Sequence, residues 1–199
     1  LVAAGCAQLS PNEAVQPVAQ PERVARSPVL PKVDLTGAIL FQYLVSEVAG
    51  QRGDPGLASE GMLDLAKTTR DPRLAKRAAE MGLQSRREVQ ALEAATLWQQ
   101  TDPDETQAQQ AVAAILLNSG RLQEAKPHLE KLLAGEGDKV GGALLHLNQM
   151  LSRQKDKPAT LVLVQELAAP YLSRAEAHFA IAYAAWSAGQ DELALREIR

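Results

Sequence analysis

Apolar positions recur every three to four residues along most of this chain, and short polar or glycine-containing breaks separate the runs. The pattern is clearest over residues 105–134. Ala108, Val112, Ala113, Ile115 and Leu116 mark one helix, Glu105–Asn118, and Leu122, Ala125, Leu129, Leu132 and Leu133 mark a second, Arg121–Ala134. Ser119-Gly120 joins them, with a glycine placed where positive φ ends a helix. Pro127 removes one hydrogen bond and is expected to bend the second helix. Ala113 and Ala125 are small enough for the two helices to cross closely. A hairpin of this size cannot bury its apolar face alone, so it needs similar neighbours.

The rest of the chain supplies them. A first helix is expected at Ala38–Gly50, and Asp54-Pro55 opens a second, the aspartate as cap and the proline at the first helical position. Asp71-Pro72 repeats that signal ahead of Arg73–Gln84. Ser85-Arg86-Arg87-Glu88 has the form of a capping box and opens a helix running to Trp98. Lys139–Arg153 then pairs with Pro158–Ala169. Ser173-Arg174-Ala175-Glu176 is a second capping box before Ala177–Ala188, and Asp191–Arg199 starts a partner helix.

Aligned on a small residue of each second helix, the units fall on Ala58, Ala91, Ala125, Ala159 and Ala194, at separations of 33, 34, 34 and 35 residues. Gly53, Gly120 and Gly189 each lie five residues before one of these alanines; Arg86 and Gln154 occupy the same place in the other two units. Helix–turn–helix units of about 34 residues resemble tetratricopeptide repeats, whose pattern runs W-x2-L-G-x2-Y, A-x3-F and P. Val112-Ala113-x2-Leu116 with Ala125-x3-Leu129 matches one degenerate copy, and Ala91-x3-Ala95 with Trp98 and Pro103 another. Ala182-x2-Ala185 with Gly189 and Ala194 matches a third. The resemblance covers Ile39 to Arg199. It implies an all-α, right-handed α-solenoid of about five units over residues 35–199, with longer helical repeats of the HEAT type as the competing fold.

Composition agrees with helices: 46% of the 199 residues are apolar but only 4% aromatic. With 21 basic and 24 acidic residues the net charge is −3, which gives no electrostatic footprint for nucleic acid. No run is long enough to span a bilayer as a helix. One cysteine excludes an intrachain disulfide.

That cysteine ends Leu1-Val2-Ala3-Ala4-Gly5-Cys6, a stretch that resembles a bacterial lipobox. The resemblance implies a signal-peptide remnant over residues 1–5, lipidation at Cys6, and a membrane anchor. From Cys6 to Asp34 the chain carries Pro11, Pro17, Pro21, Pro28 and Pro31 among small and polar residues, the composition of a stiff tether. Ala7 lacks the aspartate that marks inner-membrane retention, which points to the outer membrane, periplasmic face. The chain starts at Leu1 rather than Met and stops in a helical pattern at Arg199, and it reads as a segment of a longer polypeptide.

No residue set has catalytic spacing. His128, His146 and His178 fall on separate units without a metal-ligand arrangement. Gly135-x-Gly137 and Gly141-Gly142 follow a helix rather than a strand and lack a phosphate-loop lysine, so they read as a loop between repeats. Neither an enzyme activity, a cofactor nor a metal is expected, and protein binding is. In this kind of array the first helices line a concave groove. Helix projection puts Tyr43 and Glu47, Lys76 and Glu80, and Gln107 and Gln110 on that groove, followed by Leu144 and Asn148. Phe179, Tyr183 and Trp186 complete it as an aromatic stripe suited to partner recognition, or to packing on a further unit. The basic cluster Arg70, Arg73, Lys76 and Arg77 reads as a solvated helix face.

Two segments carry a closer resemblance: Leu44-Val45-Ser46-Glu47-Val48-Ala49-x2-Arg52-Gly53, and Thr69-Arg70-Asp71-Pro72-Arg73-Leu74-Ala75-Lys76-Arg77-Ala78-Ala79-Glu80. They are similar to the multi-repeat outer-membrane lipoproteins of proteobacteria that partner a periplasmic carboxyl-terminal processing protease. That resemblance implies an adaptor with no active site, which activates the protease and brings it substrates such as cell-wall hydrolases. The alternative is a lipoprotein that helps assemble an envelope machine, such as a pilus secretin or the outer-membrane protein insertion complex. An enzyme would need a catalytic domain beyond Arg199.

Overall fold

The computed structural model describes residues 30–199. The expected signal remnant and Cys6 lie outside the described residues, as does most of the expected tether. Residues 30–36 run without helix or strand into the first helix. Ten α-helices follow among the described residues: α1 (Gly37–Gln51), α2 (Pro55–Thr69), α3 (Pro72–Gln84), α4 (Glu88–Thr101) and α5 (Thr106–Asn118), then α6 (Leu122–Ala134), α7 (Val140–Leu151), α8 (Lys157–Ala168), α9 (Ala175–Ser187) and α10 (Asp191–Glu197). They form five successive hairpins stacked into an α-solenoid of tetratricopeptide type.

The start signals act as their chemistry requires. The amide of Leu57 donates to Asp54 Oδ1 at 3.0 Å, that of Arg73 to Asp71 Oδ1 at 2.9 Å, and that of Ala159 to Asp156 Oδ1 at 3.0 Å. Both expected capping boxes are absent. Ser85 caps the end of α3 instead, with its hydroxyl donating to the Gly82 carbonyl at 3.1 Å, while α4 starts behind Arg87 without a side-chain cap. Glu88 accepts from Ser119 Oγ at 3.0 Å, which ties one turn to the next. Before α9, Arg174 holds the cap position and also makes no side-chain cap bond.

The reason lies in the turn. In the α5–α6 turn, Gly120 (φ +70°) lets its amide reach the Leu117 carbonyl at 3.0 Å and the Arg121 amide reach Leu116 at 2.9 Å. The α3–α4 turn closes with the same two bonds, Arg86 to Leu83 and Arg87 to Gly82, although Arg86 must then adopt φ +57°. A side chain in that conformation costs about 1 kcal/mol, and the bonds it permits hold it there. This three-residue geometry leaves Ser85 one helix too early to cap α4.

A continuous core runs from Met62 on α2 to Ala185 on α9, and Leu65, Ile115, Leu151 and Leu163 are fully buried in it. Ala58, Ala91 and Ala125 are also fully buried, whereas Ala159 and Ala194 pack on the core from its edge. On the second-helix side, Lys67 to Glu93 (2.7 Å) and Lys126 to Glu166 (3.0 Å) bridge successive hairpins. Exposed as they are, such pairs add little to stability.

The fourth hairpin departs from the pattern. Its turn takes five residues, 152–156, without a left-handed residue, and α7 packs chiefly on α9 rather than on its own partner α8. Gly141 and Gly142 lie in the first turn of α7, not in a loop. A Cβ at Gly141 would stand 2.6 Å from the Glu176 carboxylate, so the missing side chain is what lets α9 approach.

Candidate partner-binding groove

The first helices α1, α3, α5, α7 and α9 carry the residues projected onto the groove; Lys76 and Gln107 bond to each other, and Glu47 and Glu80 pair with Arg77. Glu47 on α1 accepts from both Arg77 Nε (3.1 Å) and Arg77 Nη2 (3.2 Å) on α3. Glu80 stands 3.9 Å from the same guanidinium. The hydrogen bond to Glu47 holds the Arg77 pKa above its ordinary value, against the smaller effect of burial. Lys76 donates to Gln107 Oε1 at 2.9 Å on α5, and its ammonium lies 5.1 Å from the centre of the Trp98 ring. These contacts span 30 or 31 residues, about one repeat, and cross-link successive first helices.

Three clefts open beside this ladder. The first, about 690 Å³, lies between residues 31–35 and α1–α3, and Tyr43, Glu47 and Arg77 line it with Leu65 and Leu74. The second, about 570 Å³, has Gln110, Ala113, Leu132, Leu147 and Met150 in its walls and exists because α7 leans away towards α9. The third, about 500 Å³, is the aromatic one on α9 and α10. There the Phe179 and Tyr183 rings stack at 6.4 Å between centres, and Tyr183 meets Trp186 at 5.8 Å and 57°. Trp186 is 63% exposed.

Asn148 and Leu144 do not reach the groove: Asn148 is only 7% exposed, and Leu144 is fully buried. The tilt of α7 turns that face inward. The sequence reading also missed the second cleft, for which the unusual Gln154 turn was the available signal.

Two of the three histidines, His128 and His178, serve the scaffold. His128 Nδ1 lies 3.0 Å from Gln109 Nε2, and Gln109 in turn accepts from Gln99, so a half-buried chain links α4, α5 and α6. Burial, and then nearby Lys131, push the His128 pKa down. His178 is held the other way. Its Nδ1 is 2.7 Å from Glu197 Oε2 on α10 and its Nε2 is 2.8 Å from the Leu172 carbonyl, so only the imidazolium can donate to both. The Glu197 hydrogen bond, then that from Leu172, raise its pKa above the ordinary 6.5. A raised pKa in the folded chain stabilises the docked α10 fully below about pH 6.5, and this contribution fades as pH rises through the folded value. Amide exchange in α10, corrected for intrinsic rates, is therefore expected to accelerate across that window and to lose this dependence in His178→Gln. Equal pH dependence in both proteins would refute the clamp.

Among the described residues no helix is long and apolar enough to cross a membrane, and no group of three or more His, Cys, Asp or Glu is placed to hold a metal.

The architecture defines the class: an all-α solenoid of tetratricopeptide-type repeats. No protein-family model matches the chain. Over 99 residues it is 36% identical to the TPR repeat-containing protein PA4667 of Pseudomonas aeruginosa, a match covering 50% of this chain but only 17% of that protein. The MamA structure from Desulfovibrio magneticus RS-1 superposes with a TM-score of 0.50 at 14% identity, covering 82% of this chain and 93% of that one. A second MamA crystal structure gives 0.50 at 12% identity over 80% of this chain and 87% of that one. At such identities the likeness is one of fold.

Proposed function

We propose that the chain belongs to a non-catalytic adaptor lipoprotein of the periplasm, anchored through Cys6 to the outer membrane, which binds a carboxyl-terminal processing protease and presents substrates such as cell-wall hydrolases to it. The observation that carries a binding role is the aromatic ladder of α9. Three large rings stand on one exposed face at helical spacing beside an open cleft. Tryptophan and tyrosine are enriched among the few residues that dominate the energy of protein interfaces. Glu47, Lys76 and Gln107 are engaged in bonds between successive first helices, so this reading gives them the task of fixing the spacing of those helices. The choice of partner is supported by the likeness of Leu44–Gly53 and Thr69–Glu80 to the protease-partner lipoproteins.

The test is capture from envelope extracts on the full lipidated protein, read by mass spectrometry. A carboxyl-terminal processing protease is expected among the enriched proteins. Tyr183→Ala with Trp186→Ala is expected to lower its capture at least tenfold, since two truncated hot-spot side chains remove more than about 1.4 kcal/mol. Enrichment of secretin or insertion-complex subunits without a protease would overturn the proposal.

A further inference from the structure

Helix α1 is built the wrong way round for an end helix. The face it turns to its own hairpin carries Ser46 and Ala49 as its buried residues, whereas Phe41, Leu44, Val45 and Val48 point into solvent, Phe41 with 71% of its surface exposed. Those four fall at i, i+3, i+4 and i+7, the spacing of a helix–helix contact, and Leu40 flanks them.

The helix cannot roll over to bury that stripe. Gln42 Nε2 on α1 donates to the Gly61 carbonyl of α2 at 3.3 Å. A Cβ on Gly61 would collide with Ser46 Oγ, and one on Gly50 would press on Met81 Cε at 3.2 Å. Around Ser46 and Gly50 the inner face is thus fitted to small side chains, and Ile39 is the large apolar residue that packs on the core from α1.

We infer that the α1 stripe is the interface between two copies of this chain, with the two α1 helices packed antiparallel about a twofold axis near Leu44 and Val45. Three observations favour a second copy as the occupant. The stripe has no charged residue, so it can face itself without repulsion, and the nearby Glu47 is already engaged by Arg77. An antiparallel crossing centred there sets Arg52 of one copy opposite Gly37 of the other, within side-chain reach of its Asp34, and the symmetry makes that charge pair twice. Leu40, Phe41, Leu44, Val45 and Val48 expose roughly 500 Å² per copy, so full cover of the stripe in both copies removes up to about 1,000 Å², the lower bound of a specific interface. The sequence before residue 30 has no apolar run at helical spacing, with Pro11, Pro17, Pro21 and Pro28 spread through it. A membrane surface fits less well, since α1 lacks the lysines and arginines that flank interfacial helices.

Sedimentation of the full 199-residue chain at micromolar concentration is expected to give a dimer, and Phe41→Glu with Val48→Glu a monomer of unchanged helicity. Two further variants do not touch the apolar stripe. Asp34→Arg alone is expected to weaken the dimer about tenfold, and Asp34→Arg with Arg52→Asp to restore it. In a Cys6→Ser background, Leu44→Cys is expected to oxidise to a covalent dimer, and Val89→Cys, exposed on α4, is not. A wild-type monomer throughout, equal cross-linking from both cysteines, or failure of the charge swap to rescue would overturn the inference. So would Phe41-dependent flotation with phosphatidylglycerol vesicles by a chain that sediments as a monomer.

Discussion

Trp98→Ala is expected to lower the thermal midpoint of the chain by about 10 °C. The indole is 6% exposed on α4, inside the core shared by the first three hairpins, and Lys76 covers its ring. Truncating a buried tryptophan to alanine costs about 3–5 kcal/mol because the surrounding helices close only part of the void. In a chain of this length each kcal/mol moves the midpoint by roughly 2–4 °C. The lost cation–π contact adds no more than about 1 kcal/mol, so the cavity dominates. A solenoid also transmits damage only through neighbouring units. The α4 defect is therefore expected to split one melting transition into two, as the first hairpin separates from the later ones. Circular dichroism at 222 nm reads both effects. A single transition displaced by less than about 3 °C would show that Trp98 is not part of a cooperative core.

The fold was legible because its signal is periodic. Each hairpin has to bury a stripe, and stripes such as Val112, Ile115 and Leu116 with Leu129 and Leu133 announce themselves at helical spacing. Turn positions were legible too, down to Arg86 in a place where other units have glycine. Its left-handed backbone was not, because two hydrogen bonds across the turn override the intrinsic cost. Ser85 satisfied a capping rule in sequence that its compact turn cannot realise in space, and Ser173 stands one residue ahead of Arg174, which holds the cap position of α9. On α9 the projected aromatic rings are exposed, whereas on α7 the projected Leu144 and Asn148 are buried. Projection assumes every first helix has the same rotation, and the longer turn at 152–156 with Gly141 gives α7 another. The inverted α1 left no sequence signal of direction, since its apolar residues surround the helix and only Gly61 and Met81 decide which side is inward.

Close packing rather than burial alone sets the distance between hairpin helices, and Gly82 is where this is most directly testable. A Cβ there would lie 3.0 Å from the amide nitrogen, Cα and Cβ of Ala91. These are backbone atoms and a methyl fixed to backbone, so no side-chain rotation relieves the clash and α4 must move as a body. Replacing glycine by valine in a helix gains about 0.4 kcal/mol of intrinsic propensity. Overpacking against a fixed neighbour costs about 1–3 kcal/mol, so the clash wins. Gly82→Val is expected to lose about 2 kcal/mol, a fall of roughly 4–8 °C in midpoint. Gly142 provides the opposite case: it is also helical, and a Cβ there meets nothing within 4 Å. Gly142→Ala is expected to gain up to about 1 kcal/mol and raise the midpoint by a few degrees. Differential scanning calorimetry of the two variants separates the explanations. If both glycines respond alike, helix propensity governs this solenoid and the α3–α4 spacing does not depend on a missing side chain; if only Gly82→Val falls, the hairpin is held at a distance that its smallest residues define.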